Sequence, residues 1–486
     1  MGNWRLDKKQ IKKYPHFDPL ISAEDAEALA MDPERVARHA FYPFMRYTER
    51  WTRFAKKGDK GETKKRPIRY AARRDAYIFA RYRHLLAERY NVELARLGLD
   101  DCVLAYRRII KPGEVGGKCN IDFARDAFLK IRELGNCCVV ALDISSFFEH
   151  LDHDRLKALW CRLLGTERLP DDHFRVFNAI TRYSYVEKEK VYERLGHLGT
   201  KGTTSSGKPI RGYLTPFKAI PKQLCRGSEF RDKIAGGKGG KSLIEVNFKP
   251  YGIPQGAPIS DLLANLYLLD FDQAIRALVV AIGGAYYRYS DDILIIIPGN
   301  AATGMTWLAD MQAKIREHGR KLEIKAEKSA VFVYSGDGDE QTFTRVHGTQ
   351  GANGLEYLGF RYDGRRAFLR DSTLSGLRRK VAFAARRDAN FCASQHPAKG
   401  VADLKAAFNY ERLIKRFGKV EDFAEKRDDF RNWTFWTYAR RAAEIFGPLG
   451  QPISGQLKRH AALVRKRCDL ELEKAIERRA RRAVEA

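Results

Sequence analysis

Asp291 and Asp292 stand between two runs of aromatic and β-branched residues, Tyr286-Tyr287-Arg288-Tyr289 and Ile293-Leu294-Ile295-Ile296-Ile297. Two such runs meeting at a polar pair predict a hairpin with two carboxylates at its tip. An Asx turn, in which the acids only satisfy backbone donors, is the competing reading. Asp143 weighs against it. This residue ends the apolar run Val139-Val140-Ala141-Leu142, and an acid among buried strand residues is costly unless a cation or hydrogen bonds offset it. Two such strand ends side by side would offer carboxylate oxygens to two divalent ions about 4 Å apart. That clamp serves nucleotidyl transfer. One ion lowers the pKa of an attacking 3′-hydroxyl, and the other holds the triphosphate and the leaving pyrophosphate.

Other segments extend the pattern in chain order. Gly252-Ile253-Pro254-Gln255-Gly256-Ala257-Pro258-Ile259-Ser260, followed by Leu263-Ala264-Asn265-Leu266-Tyr267, resembles the central Gln-Gly motif of reverse transcriptases. Asp143 to Phe148 resembles their first catalytic motif, and Tyr289-Ser290-Asp291-Asp292 their Tyr-x-Asp-Asp turn. Leu322 to Lys328 is similar to the next motif, with Lys328 at its lysine, and Glu356-Tyr357-Leu358-Gly359-Phe360 to the hairpin that grips the primer.

The resemblance covers about residues 62–365 and implies an RNA-directed DNA polymerase, a nucleotidyltransferase that uses two Mg²⁺ ions, with Mn²⁺ as an alternative. It implies Asp143 and Asp291 as metal ligands and Asp292 as a second acid that binds metal or only shapes the turn. Backbone groups from Asp143 to Phe148, Ile144 and Ser145 among them, would cradle the triphosphate. Gln255 and Gly256 would line the template and the incoming base pair. Lys328 would be an acid for the pyrophosphate, with a plain surface lysine as the alternative. Tyr357, Leu358 and Gly359 would grip the primer. Phe148, five residues after Asp143, falls where reverse transcriptases place an aromatic gate against the ribose 2′-hydroxyl. A core phenylalanine is the other reading, and Phe147 could fill that part. Lys64-Lys65-Arg66-Pro67-Ile68-Arg69 resembles the basic strand that holds the triphosphate. Guanidinium suits bidentate phosphate contacts, so Arg66 leads, with Lys65 and Arg69 behind it. Tyr106-Arg107-Arg108 is a weaker candidate for meeting the template.

The elements that must position these residues follow from the pattern. The fold class implied is α+β, a right-hand polymerase with fingers and an antiparallel palm sheet, then an α-helical thumb and C-terminal extension. Residues 1–61 are expected to form a helical extension ending in the charged loop Lys56 to Gly61, 62–135 the fingers, 136–365 the palm, and 366–486 a basic helical thumb and tail. Thr63 to Tyr70 reads as a strand and Asp75 to Leu97 as a helix. Cys137 to Ile144 is a buried strand by its short apolar run. A helix from His153 to Leu164 is capped by Asp152 and closed by Gly165. Gly, Ser, Thr and Lys dominate 196–250, which reads as an insertion with flexible tips. A helix is expected from Ser260 to Val280, another from Thr306 to His318, and a strand from Ala330 to Tyr334. Trp433, Phe435 and Trp436 in the tail could stack on bases or pack helices.

The chain has 486 residues, a formal net charge of +28 and an apolar fraction of 44%. That length supports a large core, and the charge calls for a polyanionic partner, nucleic acid before an anionic membrane. No apolar run reaches the roughly 18 residues of a spanning helix, and the N-terminus has no apolar signal core. A cytoplasmic place is expected. None of the eight cysteines forms a Cys-x-x-Cys pair, so a zinc site or disulfide framework is not expected. Cys137 and Cys138 read as small buried strand residues. Finer details are similar to bacterial defence-associated (antiphage) reverse transcriptases, relatives of abortive-infection, retron and group II intron enzymes. These are Tyr14-Pro15-His16-Phe17-Asp18, His39-Ala40-Phe41-Tyr42-Pro43-Phe44, Ala105-Tyr106-Arg107, Leu151-Asp152-His153 and Asn432 to Arg441. The resemblance implies a cognate noncoding RNA as template, dNTPs as substrates and DNA as product. Retron or intron roles, untemplated addition and protein priming stay open, and the charge neither requires nor excludes a homo-oligomer.

Overall fold

The computed structural model describes residues 4–6, 11–52, 63–111, 113, 116–204, 207–349, 351–418 and 434–484. The expected loop at Lys56 to Gly61 and the residues Asn432 and Trp433 lie outside them. In chain order the strands are Phe44–Thr52 (β1), Thr63–Tyr70 (β2), Cys137–Asp143 (β3), Ser184–Glu187 (β4), Leu198–Thr203 (β5), Pro209–Tyr213 (β6) and Glu245–Val246 (β7). They continue with Ala285–Tyr289 (β8), Asp292–Pro298 (β9), Ala330–Ser335 (β10), Thr342–His347 (β11), Leu355–Tyr357 (β12), Phe360–Tyr362 (β13) and Ala367–Leu369 (β14).

An antiparallel sheet of order β11-β10-β3-β9-β8 forms the palm. Its central strands carry apolar residues on both faces, and the two faces enter different cores. Cys138, Val140, Ile293, Ile295 and Ile297 point into one core, shared with the helices Arg73–Arg96, Ser260–Tyr267 and Leu269–Ala281. Cys137, Val139, Leu294 and Ile296 point into another, shared with the helix Asn120–Leu134, the small sheet β12-β13-β14 and the helix Phe435–Phe446. Burial on both faces explains why these strands read as continuous apolar runs. It also answers for the cysteines: burial pushes the Cys137 thiol up to about 12 and Cys138 up to about 11, which makes them inert.

Beyond the palm, the helices Asp371–Gln395 and His460–Val484 pack on one another around a third core that includes Leu377, Val381, Leu404, Val464 and Leu472. Fingers and palm with an antiparallel sheet, followed by a helical C-terminal region, are therefore the architecture. No helix among the described residues is long and apolar enough to cross a membrane.

Local expectations hold at several points. The helix His153–Leu164 is capped by the Asp152 carboxylate, which accepts from the Arg155 amide, and closes on Gly165 at φ 69°. Three expectations are corrected. Residues 44–52 are a strand, not helix, because Met45 to Thr52 of β1 pair with the whole of β2. The helix from Ser260 breaks at Leu268 into Ser260–Tyr267 and Leu269–Ala281. Residues 196–250 are more than a loop. They form the hairpin β5-β6, add β7 as the edge of the sheet β2-β1-β4-β7, and bury Ile220, Leu224 and Ile234 against Phe17, Met45 and Val186.

The N-terminal Tyr14-Pro15-His16-Phe17-Asp18 stitches this region to the helix Arg73–Arg96. His16 exchanges backbone hydrogen bonds with Lys222 and Leu224. Asp18 forms a fully buried ion pair with Arg73 at 3.3 Å and accepts from the Arg74 amide at 2.9 Å.

Candidate active site

Strand register brings the three acids together. Asp143 ends β3 directly opposite Asp292, the first residue of β9. The Ile144 amide donates to the Asp291 carbonyl at 3.1 Å. Tyr289 pairs with Asp292, leaving Ser290 and Asp291 as the turn, with Ser290 in the left-handed region at φ 61°. A serine there needs support, because its Cβ is disfavoured in that region. Two residues from outside the turn give it. Arg288 donates to the Ser290 carbonyl at 3.1 Å, and the Tyr106 hydroxyl to Ser290 Oγ at 3.1 Å. Arg288 is itself fixed by a fully buried ion pair with Asp272 at 2.5 Å and by a hydrogen bond to Asn265 Oδ1 at 3.0 Å. Tyr286 donates to the same Asp272 at 2.6 Å. Asn265, from the segment after the Gln-Gly motif, also donates to the Ala105 carbonyl at 2.7 Å. Tyr106 is thus a support for the acidic turn. Arg107, instead of reaching out to a template, donates to Asn91 and to the carbonyls of Asp100 and Val103.

The acids floor a cleft of about 690 Å³. Asp292 is exposed to water on its open side, while its carboxyl is surrounded by protein on the cleft side. That desolvation, then the charges of Asp291 and Asp143, push its carboxyl up to about 7. Asp291 is raised by burial first and by Asp143 next. The cations answering this charge include Lys328, whose Nζ is 3.0 Å from Asp143 Oδ2, Arg370, which pulls Asp292 down, and Arg66, which pulls Asp291 down. A cluster of carboxylates, with Asp291 and Asp292 raised, offers hard oxygen donors that fit a divalent cation of the Mg²⁺ type in chemistry. Among the described residues no three acidic, histidine or cysteine side chains already converge on one metal-sized point, and Lys328 occupies one oxygen of Asp143.

Sequence candidates gather on the same cleft from four directions. Lys65 and Arg66 line it from β2, Phe148 from the turn after β3, Gln255 from the Gln-Gly loop, and Tyr357 and Leu358 from the β12-β13 turn. Phe147 is the core residue of its pair, 2% exposed, while Phe148 is half-buried and faces the cleft. Tyr357 is 5% exposed, and its hydroxyl has no hydrogen-bond partner. Burial and then the nearby Asp292 hold its pKa well above the usual phenol value. Leu358 and Gly359 form a tight turn at φ 46° and 95°. Asn120 pins the Leu358 carbonyl at 3.0 Å, and the Arg370 amide pins that of Gly359, also at 3.0 Å.

Other candidates support the cleft from behind. Arg69 turns away from it and binds Glu149 at 2.7 Å, while its amide donates to the Gln255 carbonyl at 2.8 Å. Gly256, at φ 112°, lets the loop press on β2, since a Cβ there would stand 2.7 Å from the Arg69 carbonyl oxygen. The amides of Ile144 and Ser145 do not await a triphosphate. Ile144 donates to Asp291 and Ser145 to the Glu323 carbonyl at 2.9 Å, because both continue the strand pairing past β3, and the Ser145 side chain is buried. Two further residues anchor the start of the Gln-Gly loop. His153, read from the sequence only as a helix start and part of Leu151-Asp152-His153, has its Nε2 2.8 Å from the Gly252 carbonyl, and Asn247, which no local pattern marks, donates from Nδ2 to the carbonyls of Thr181 and Tyr251 at 2.9 and 3.2 Å.

Residues 231–362 match the family model described as reverse transcriptase (RNA-dependent DNA polymerase). No curated protein matches the chain. Among solved structures, the chain is similar to apo telomerase from Candida tropicalis, at 11% identity and a TM-score of 0.37, covering 88% of this chain and 64% of that one. It is similar to telomerase from Candida tropicalis with a TWJ fragment of telomeric RNA, at 12% and 0.37, covering 93% and 67%. Telomerase from Candida albicans with such a fragment gives 8% and 0.37, covering 90% and 63%. Likenesses this loose carry no weight for function, and the chain spans only about two thirds of those proteins. The matched segment holds the Gln-Gly loop, the acidic turn, Lys328 and the β12-β13 hairpin, so residues 231–362 of this chain are similar to a reverse transcriptase (RNA-dependent DNA polymerase) domain.

Proposed function

We propose that the chain copies an RNA template into DNA at the cleft floored by Asp143, Asp291 and Asp292. The observation that carries this is convergence. Three acids, the cations Lys65 and Arg66, the ring of Phe148 and the amide of Gln255 come from separate segments and line one cleft. Divalent Mg²⁺, held by Asp143 and Asp291 with Asp292 beside them, would acidify the primer 3′-hydroxyl and neutralise the triphosphate. The chain's own residues do the rest. Lys65 and Arg66 bind phosphate oxygens across from the acids. Phe148 bounds the space at the sugar and disfavours a 2′-hydroxyl. Gln255 meets the base pair being formed, on a loop that Arg69, Gly256, His153 and Asn247 hold in place. Lys328 leaves Asp143 as the substrate arrives and donates a proton to the departing pyrophosphate. Tyr357, Leu358 and Gly359 seat the primer end. Primer extension with dNTPs and Mg²⁺ tests this. The Asp291→Ala, Asp292→Ala variant should lose more than about 100-fold in rate, the upper end for losing even an indirect metal support. Equal incorporation by variant and wild type would remove the assignment.

The finer reading is a bacterial cytoplasmic enzyme that makes cDNA from a cognate noncoding RNA in antiviral defence. It is supported by the resemblance of the flanking segments, Tyr14 to Asp18 among them. In this reading β2 and its following helix act as fingers, the five-stranded sheet as palm and the basic C-terminal helices as thumb. Sequencing the nucleic acid that copurifies with the protein tests it. A retron RNA or an intron transcript in place of a defence-encoded RNA would overturn the defence role.

A further inference from the structure

The catalytic cleft continues onto the outer face of the sheet β2-β1-β4-β7. Pro67 and Glu149 line both the cleft and a second hollow of about 560 Å³. Asn247, Phe248 and Lys249 line that hollow and a third of about 950 Å³. The three form one surface path.

Phe248 stands in the middle of it. It is 89% exposed, more than any other large apolar side chain among the described residues. Its exposure is not that of a loose loop. The preceding Asn247 is tied by its amide to the Tyr183 carbonyl at 2.9 Å and by its side chain to the carbonyls of Thr181 and Tyr251. The protein thus holds an unpacked ring out into solvent on a fixed backbone.

Rings and cations alternate along the path. Lys249 Nζ lies 5.7 Å from the centre of the Tyr251 ring, and Lys321 Nζ lies 5.9 Å from it. At the far end Lys157 Nζ lies 5.5 Å from the ring of the exposed Phe174. Arg182 is exposed between them. The two outer hollows are lined by two acids, Glu149 and Asp154. Glu149 is answered by Arg69. Asp154 lies at the distal end. The surplus is positive, and the apolar surface comes as separate rings, not as the continuous patch a protein partner or membrane would bury.

We infer that this path binds a single strand of nucleic acid outside the catalytic cleft, with Phe248 as a base-stacking platform and Lys249, Arg182 and Lys157 as phosphate contacts. Stacking on an aromatic ring is tolerant of sequence, and basic side chains track the backbone. Continuity with the cleft through Pro67 and Glu149 makes this strand the unpaired extension of a substrate seated at Asp143 and Asp291. The inference to that extent rests on the polymerase reading.

The test uses the full chain and primer–template duplexes with a chain-terminated primer, so that binding is read without synthesis. The duplex carries a 5′ overhang of about two or about fifteen nucleotides, as RNA or as DNA. Wild type should bind the long overhang more tightly than the short one. Phe248→Ala should lose about tenfold of that advantage, the scale of one base–ring stack, and Lys249→Ala should weaken its salt dependence. Both should bind the short-overhang duplex like wild type, and should extend it like wild type when the primer carries a free 3′-hydroxyl. Loss in the RNA arm alone assigns the path to template, and loss in the DNA arm alone assigns it to a DNA strand. Wild-type affinity of Phe248→Ala for the long overhang in both arms overturns the inference. Overhang-dependent binding that needs Phe248, in a protein that extends no primer, would refute the polymerase reading while leaving the path intact.

Discussion

Asp292 carries the sharpest expectation at the scale of single residues. Its carboxyl is pushed up to about 7 by desolvation and by Asp291 and Asp143, so near neutral pH it takes up a proton that an unfolded aspartate would not hold. The group therefore favours the fold below the ordinary aspartate value and loses that contribution as pH rises through about 7. In chelator, the melting temperature should fall over this window, and Mg²⁺ should restore it at the alkaline end. Asp292→Asn should flatten both responses, which thermal melts at stepped pH would read; an unchanged Mg²⁺ response in the variant would exclude Asp292 as an ion-responsive group. Phe148→Ala concerns the same cleft from its other wall. Shortening the ring opens the space at the sugar, and discrimination against ribonucleotides should drop by about tenfold or more. Competition between rNTP and dNTP measures it, and unchanged discrimination would leave Phe148 as packing only.

At the scale of elements, the acidic turn depends on a buried frame that touches no substrate. Arg288 and Asp272 are fully buried partners, and Arg288 links β8 to the Ser290 carbonyl and to Asn265. Removing one member leaves the other charge unpaired, at a cost of about 3–5 kcal/mol. Asp272→Ala should lower stability by that order in denaturant titration and lower the rate through Ser290. The paired change Asp272→Leu, Arg288→Met should recover much of the stability without the rate, because apolar replacement removes the stranded charge but not the lost anchor. Elements are also where the sequence was least legible. Residues 44–52 were expected to be helix, yet pair as β1 along all of β2, since cross-strand partners override local tendencies. The palm strands were legible because burial on both faces leaves a continuous apolar signature.

For the whole molecule, a net charge of +28 should make nucleic-acid affinity steeply salt-dependent. If six to ten phosphates are contacted, affinity should fall by about 10³–10⁵ between 50 and 200 mM salt. A shallow log–log slope in anisotropy titrations would show that the charge serves something other than phosphate binding.

What the sequence by itself determined is the chemistry: three acids at strand ends, a Gln-Gly loop, a basic strand and a tight turn, each marked by a short contiguous pattern. Only the tertiary structure decided which of those groups face the cleft. Arg69 and Arg66 are three residues apart on one strand, yet Arg66 lines the cleft while Glu149 draws Arg69 behind it. Ile144 and Ser145 sit inside the first motif, but their amides are consumed by Asp291 and Glu323. Tyr106, His153 and Asn247 hold the turn and the Gln-Gly loop through partners far along the chain. The physical reason is common to all of them. A short sequence pattern records local geometry and side-chain chemistry, whereas the direction of a side chain and the occupancy of its hydrogen bonds depend on neighbours that only the folded chain supplies.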